Sequence, residues 1–157
     1  MVNLTMDAIL LSAEKAGVFQ VNELSGCNTE EVGEILKDQN IPNIPEQLDL
    51  FYRTMGKQAG DLFAGEFILF PDILGKKIGY LKCLQEVNVD KGKFENAFVF
   101  LNHHDYQFFL CFAEEGDKVY FFDEEMKIPK LAFNSFFEYL EYEIKRFCDL
   151  RAQRYSE

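Results

Sequence analysis

The chain contains no tryptophan, only two histidines and only four cysteines in 157 residues. The histidines, His103 and His104, are adjacent and precede Asp105. Neighbouring side chains point to opposite faces of a strand, so the pair is poorly placed to share one metal ion. No further ligands follow at metal-site spacing. Cys27, Cys83, Cys111 and Cys148 lie far apart with no CxxC pair, which argues against zinc. Cys111 and Cys148 sit in apolar patterns and are expected to be buried free thiols, as suits a reducing compartment. No GxSxG, HExxH, Walker or GxGxxG pattern occurs. A His-Asp pair at 103–105 would be the material for a general base, and Cys111 near His104 the material for a nucleophile. The second idea suffers because burial raises a thiol's pKa. The shortage of catalytic groups points to binding rather than enzymatic activity, with no cofactor and no metal.

Long apolar runs are missing too. None reaches the ~18 residues that a membrane-spanning helix needs. The first basic residue is Lys15, and no basic segment leads into an apolar stretch and cleavage site. A cytoplasmic protein with no membrane contact is therefore expected. Cations are scarce: sixteen Lys and Arg stand against twenty-seven Asp and Glu, a net charge of −11. Such a surface repels phosphate backbones, which disfavours direct nucleic-acid binding. It favours a basic partner and speeds the encounter with it. Just over half of the net charge falls between residues 105 and 125. There Asp105, Glu114, Glu115, Asp117, Asp123, Glu124 and Glu125 face one base, Lys118.

What is abundant is apolar and aromatic: 48% of residues are hydrophobic and seventeen are phenylalanine. This excludes disorder by composition, and the length allows one domain with a real core. No repeat and no Pro/Gly/Ser-rich linker divides the chain. We read a single domain over 1–157, with an N-terminal helical extension (1–26) and a core (27–150).

The pattern predicts a helix from Asn3 to Ala16, with Leu4, Ala8, Ile9 and Leu11 at helical offsets and Gly17 as its stop. Residues 18–27 read as an irregular connection. Asn28 opens a second helix, with Glu30 and Glu31 at its positive end and an apolar face of Val32, Ile35 and Leu36. The run Asn40-Ile41-Pro42-Asn43 ends it. Pro45 suits the first position of a third helix carrying Leu48, Phe51, Tyr52 and Met55. Phe67 to Phe70 reads as a short strand or extended segment. Pro71 and Asp72 would then start a fourth helix with Ile73, Leu74, Ile78, Leu81, Leu84 and Val87 on one side.

Eight of the phenylalanines lie between Phe94 and Phe122. Phe98–Leu101, Tyr106–Ala113 and Lys118–Asp123 read as strands, the last two joined by the hairpin loop Glu114-Glu115-Gly116-Asp117. Phe108, Leu110 and Phe112 alternate with Phe109, Cys111 and Ala113, so both faces are apolar. A sheet covered on both sides, or one face contributing to a groove, would explain this. A closing helix carries Phe133, Phe136, Phe137, Leu140, Ile144, Phe147 and Leu150 as a core stripe. Ser135 and Glu138 have the form of a capping box. Glu138, Glu141, Glu143, Lys145 and Arg146 are expected on its wet face.

The order of these segments resembles the SUKH superfamily, which unites Smi/Knr-type cell-wall regulators of yeast with many bacterial immunity proteins. The resemblance spans roughly Cys27 to Phe147. It rests on Cys27-Asn28-Thr29-Glu30-Glu31-Val32, on Asn43-Ile44-Pro45-Glu46-Gln47-Leu48-Asp49-Leu50-Phe51-Tyr52, and on Phe70-Pro71-Asp72-Ile73-Leu74. It continues in Phe98-Val99-Phe100-Leu101-Asn102-His103-His104-Asp105-Tyr106-Gln107-Phe108 and in Ala132-Phe133-Asn134-Ser135-Phe136-Phe137-Glu138-Tyr139-Leu140. Met55-Gly56 stands where many members carry Asn-Gly. The resemblance implies an α+β fold with a mainly antiparallel sheet flanked by helices. It also implies a non-enzymatic immunity protein that binds and neutralises a cognate protein toxin, for instance a basic nuclease. The alternative it allows is a regulatory scaffold with no toxin partner. Under the immunity reading, the acids Asp105, Glu114, Glu115, Asp117, Asp123, Glu124 and Glu125 meet the toxin, with Tyr106 and Tyr120 as aromatic anchors.

Overall fold

A computed structural model describes residues 4–102, 108–123, 125–126 and 128–156. Helix α1 (Met6–Lys15) starts where the Thr5 hydroxyl accepts the Ala8 N–H at 3.1 Å. It stops before Gly17, whose φ of +74° lies in the left-handed region that glycine tolerates. Its buried residues are Met6, Ile9 and Ala13, while Ala8 and Leu11 are exposed. Of the expected face of Leu4, Ala8, Ile9 and Leu11, Ile9 is buried and Leu4 packs against the core, so only Ala8 and Leu11 turn outward where α1 packs against α5.

Helix α2 (Thr29–Gln39) opens on a complete capping box. Asn28 Oδ1 accepts the Glu31 N–H at 2.8 Å, and Glu31 Oε1 accepts the Asn28 N–H at 2.9 Å. Asn40, in the left-handed conformation, closes the helix. Helix α3 (Glu46–Met55) buries Leu48, Phe51, Tyr52 and Met55 completely. It is the apolar stripe that the spacing predicts.

Two readings need revision between α3 and the sheet. Phe67 to Phe70, expected as a short strand or an extended segment, forms no strand. Instead the Tyr52 hydroxyl donates to Ile68 O at 2.7 Å and the Phe70 N–H donates to Gly56 O at 2.8 Å, pinning the segment to the end of α3. Pro71 and Asp72 lie in a turn, and helix α4 spans Lys76–Glu86. Gly75, at φ +83°, interrupts any helix begun earlier and sets the phase of α4, while its N–H donates to the Asp38 carboxylate. The buried face of α4 is therefore Lys77, Tyr80 and Leu84, with Ile78 52% exposed.

Strands β1 (Ala97–Asn102), β2 (Phe108–Phe112), β3 (Val119–Phe122) and β4 (Lys130–Phe133) form an antiparallel sheet in chain order. The first three match the expected strands, and β4 was not foreseen. Helix α5 spans Phe136–Ser156. The molecule is an α+β arrangement, and both faces of the sheet are covered. Phe98, Phe100, Phe109, Cys111 and Val119 point into a core shared with α1, α2, α3 and α5. Ala97, Val99, Phe108, Leu110 and Phe122 pack with Tyr80 and Leu84 of α4 and with Phe94. Period-two alternation thus feeds two cores, which is why the strands are apolar throughout.

On the outer edge of β1 a side chain takes both backbone groups of Val99. The Gln39 amide donates to Val99 O at 2.7 Å, and its oxygen accepts the Val99 N–H at 2.9 Å. At Val99 a glutamine thus supplies the pairing that a neighbouring strand would give. Lys77, 2% exposed, donates to the backbone oxygens of Gln39 and Glu95 beside it. Burial lowers its pKa to about 8. On α5 the expected wet face needs one correction. Glu143 is 3% exposed, drawn inward with Arg146 bound to it at 3.1 Å. Phe133 of the expected stripe belongs to β4, and Leu150 is exposed.

Candidate protein-binding surface

The turn joining β2 to β3 begins as a short 3-10 helix, Ala113–Glu115, and passes through Gly116 at φ +66°. Glu114 and Glu115 are exposed on it. Asp117 is half-buried, and its Oδ1 accepts the N–H of Gln47 at 2.9 Å. Gln47 is the second residue of α3, whose own cap position holds Pro45 and gives no side-chain bond. Asp117 therefore acts as the helix cap from seventy residues away. Gln47 repeats the operation, because its Oε1 accepts the N–H of Phe137 in the first turn of α5 at 2.8 Å. Ser135 accepts the Glu138 N–H, and Glu138 reaches back to the Asn134 N–H rather than to Ser135. The tip of the hairpin is thus bonded to the start of α3, which is bonded in turn to the start of α5, and exposed Glu46 lies next to this junction.

On the α4 side of the sheet, Phe112 and Tyr120 form a half-buried aromatic pair, edge to face at 5.1 Å. A hydrogen bond to Glu115 raises the pKa of the Tyr120 hydroxyl. Asn96, Phe112, Ala113, Glu114, Glu115 and Tyr120 surround a shallow groove of about 370 Å³. A cationic side chain entering it would meet two carboxylates and two aromatic rings, which suits Lys or Arg. Phe112 and Asn96 were not among the residues expected from sequence. The alternation of β2 and the hairpin register could have placed Phe112 beside Tyr120.

The acidic run is not one surface. Asp123 and Glu125 lie beyond the far end of β3, roughly 20 Å of extended chain from Asp117. Asp123 Oδ1 accepts the Glu125 N–H at 2.9 Å there. Of the expected contact residues, Glu114, Glu115 and Tyr120 come together, Asp117 is held in a structural bond, and Asp123 and Glu125 are separated from them. Asp105, Tyr106 and Glu124 lie outside the described residues, as do His103 and His104.

All four cysteines are free. Cys27 and Cys111 are buried, whereas Cys148, expected to be buried, is half-buried. Burial, with Glu31 adding to it, pushes the Cys27 thiol up to about 11, and burial pushes the Cys111 thiol higher still. Among the described residues no cluster of His, Cys, Asp and Glu could hold a metal ion, and no helix is long and apolar enough to cross a membrane. No protein-family model matches the chain, and a search of curated proteins finds no match.

Proposed function

We propose that this protein is a non-enzymatic binding protein that meets a basic protein partner with the acidic tip of its β2–β3 hairpin. In the reading we favour, it is a SUKH-like immunity protein and the partner is a cognate toxin. The observation that carries the proposal is the union of two exposed carboxylates, Glu114 and Glu115, with the Phe112–Tyr120 ring pair on a tip held by Asp117 and Gln47. A preorganised site spends little free energy on ordering when it binds. Aromatic anchors beside charge supply affinity, and the field of the whole molecule supplies speed.

The test is co-expression with the product of the adjacent gene, followed by affinity co-purification and a growth assay. A stable complex and restored growth are expected when that product is toxic. A toxic neighbour that neither binds nor is neutralised by this protein overturns the immunity reading.

A further inference from the structure

A second cavity lies far from the acidic tip. It is a cleft of about 700 Å³ where the second half of α5 faces the 61–66 loop and the end of α1. That volume falls within the range of small-molecule sites. From Phe137 to Leu150 the helix rises roughly 20 Å, so the cleft and the tip occupy opposite ends of α5.

One face of the helix builds the wall, with Glu143, Arg146, Phe147, Leu150, Arg151 and Arg154 recurring at three- and four-residue steps. Their chemistry divides along the axis. At the inner end Arg146 is bound to buried Glu143, so its charge is compensated. Further along, Arg151 gives one N–H to Gly17 O at 2.6 Å, a neutral acceptor that leaves its charge uncancelled. Arg154 makes no hydrogen bond or ion pair among the described residues and is exposed. Beside them Leu150 is 47% exposed, next to half-buried Phe147 and opposite buried Leu62. In a chain of net charge −11, Arg151 and Arg154 thus offer two guanidinium groups with no carboxylate bonded to them among the described residues, beside an uncovered leucine.

We propose that this cleft binds an amphipathic monoanion, its head group on Arg151 and Arg154 and its apolar body on Leu62, Phe147 and Leu150. The restriction to one negative charge comes from the rest of the lining. Asp61 and Glu66 also face the cleft, and a polyanion would bring further charge against them. Arginine offers paired N–H donors that match a carboxylate. The apolar wall gives a neutral alcohol of equal length only part of that affinity.

The probe is decanoate below its micelle concentration, followed by amide chemical shifts and thermal unfolding of the full chain. Decanol and tripolyphosphate are the comparisons. Decanoate is expected to bind saturably at one site, moving the amides of Leu62 and of the Phe147 to Arg154 turns, with decanol weaker. Arg154→Glu should weaken decanoate by about tenfold while leaving the unliganded melting temperature in place. Leu150→Asp, also at an exposed position, should weaken both decanoate and decanol. The proposal is overturned if decanoate produces no saturable shifts or binds equally well to Arg154→Glu. Tighter binding of tripolyphosphate than of decanoate overturns it too.

Discussion

Asp117 caps a helix that begins seventy residues earlier in the chain, its Oδ1 accepting the Gln47 N–H at 2.9 Å. The bond makes one acid of the hairpin a structural element, while Glu114 and Glu115 beside it remain exposed. Asp117→Ala removes a charged acceptor from the start of α3, and should cost about 1–2 kcal/mol in chemical denaturation. Glu114→Ala should leave stability within about 0.5 kcal/mol of the parent. Equal losses in the two variants would contradict the assignment.

The division of the acids between two ends of the hairpin gives a kinetic prediction once a partner is in hand. Reversing Glu114 and Glu115 to Lys should slow association and flatten its salt dependence. Reversing Glu125 at the far end should alter both much less. Stopped-flow or surface-based kinetics at two ionic strengths will tell the two apart. Identical responses at both ends would remove the tip from the interface.

Lys77 gives a pH signature. Its folded pKa, about 8, lies below the ordinary 10.5 because the ammonium is buried. Between those values the unfolded chain holds a proton that the folded chain has released. Lys77 therefore makes stability rise with pH from about 8 to about 10.5, by an amount on the order of 3 kcal/mol. Below that window the full cost of the buried charge is present. Cys27, raised from 9.0 to about 11, works the other way, because burial disfavours its thiolate and stability falls as pH passes 9. The measurable quantity is the difference between the parent and Lys77→Met. That difference should change steadily across pH 8–10.5 and stay flat below it, and a difference independent of pH would refute the assignment.

Two buried tyrosines should respond oppositely to loss of their hydroxyls. Tyr52 donates to Ile68 O at 2.7 Å, so Tyr52→Phe leaves that carbonyl unpaired and should cost about 1–2 kcal/mol. The Tyr139 hydroxyl is fully buried and has no hydrogen-bond partner among the described residues. Tyr139→Phe removes a polar atom that folding strips of water, and should be neutral or stabilising by up to about 1 kcal/mol. Thermal unfolding of the two variants side by side decides it, and a loss at Tyr139 as large as at Tyr52 would mean that the hydroxyl is satisfied after all.

The features legible from sequence were those written within one turn or one strand. Asn28 and Glu31 carry both halves of their capping box within four consecutive residues. The spacing of Leu48, Phe51, Tyr52 and Met55 fixes the buried face of α3, because side chains three and four apart share a side of any helix. The double alternation around Phe108 to Phe112 showed that both faces are apolar, and left open whether both are covered or one contributes to a groove. Tertiary structure alone decided the rest. The phase of α4 depends on Gly75 and on what lies beneath Lys77, and β4 becomes a strand only because β3 lies beside it. Glu143 looked solvated by its type and was drawn in with Arg146. The seven acids between residues 105 and 125 read as a single field along the chain. A hairpin carries its turn and its strand ends to opposite poles, and a capping bond to Gln47 took Asp117 out of the exposed set. Local chemistry sets which conformations a segment prefers, whereas the partner of a given polar group is chosen by chain closures that bring distant residues together.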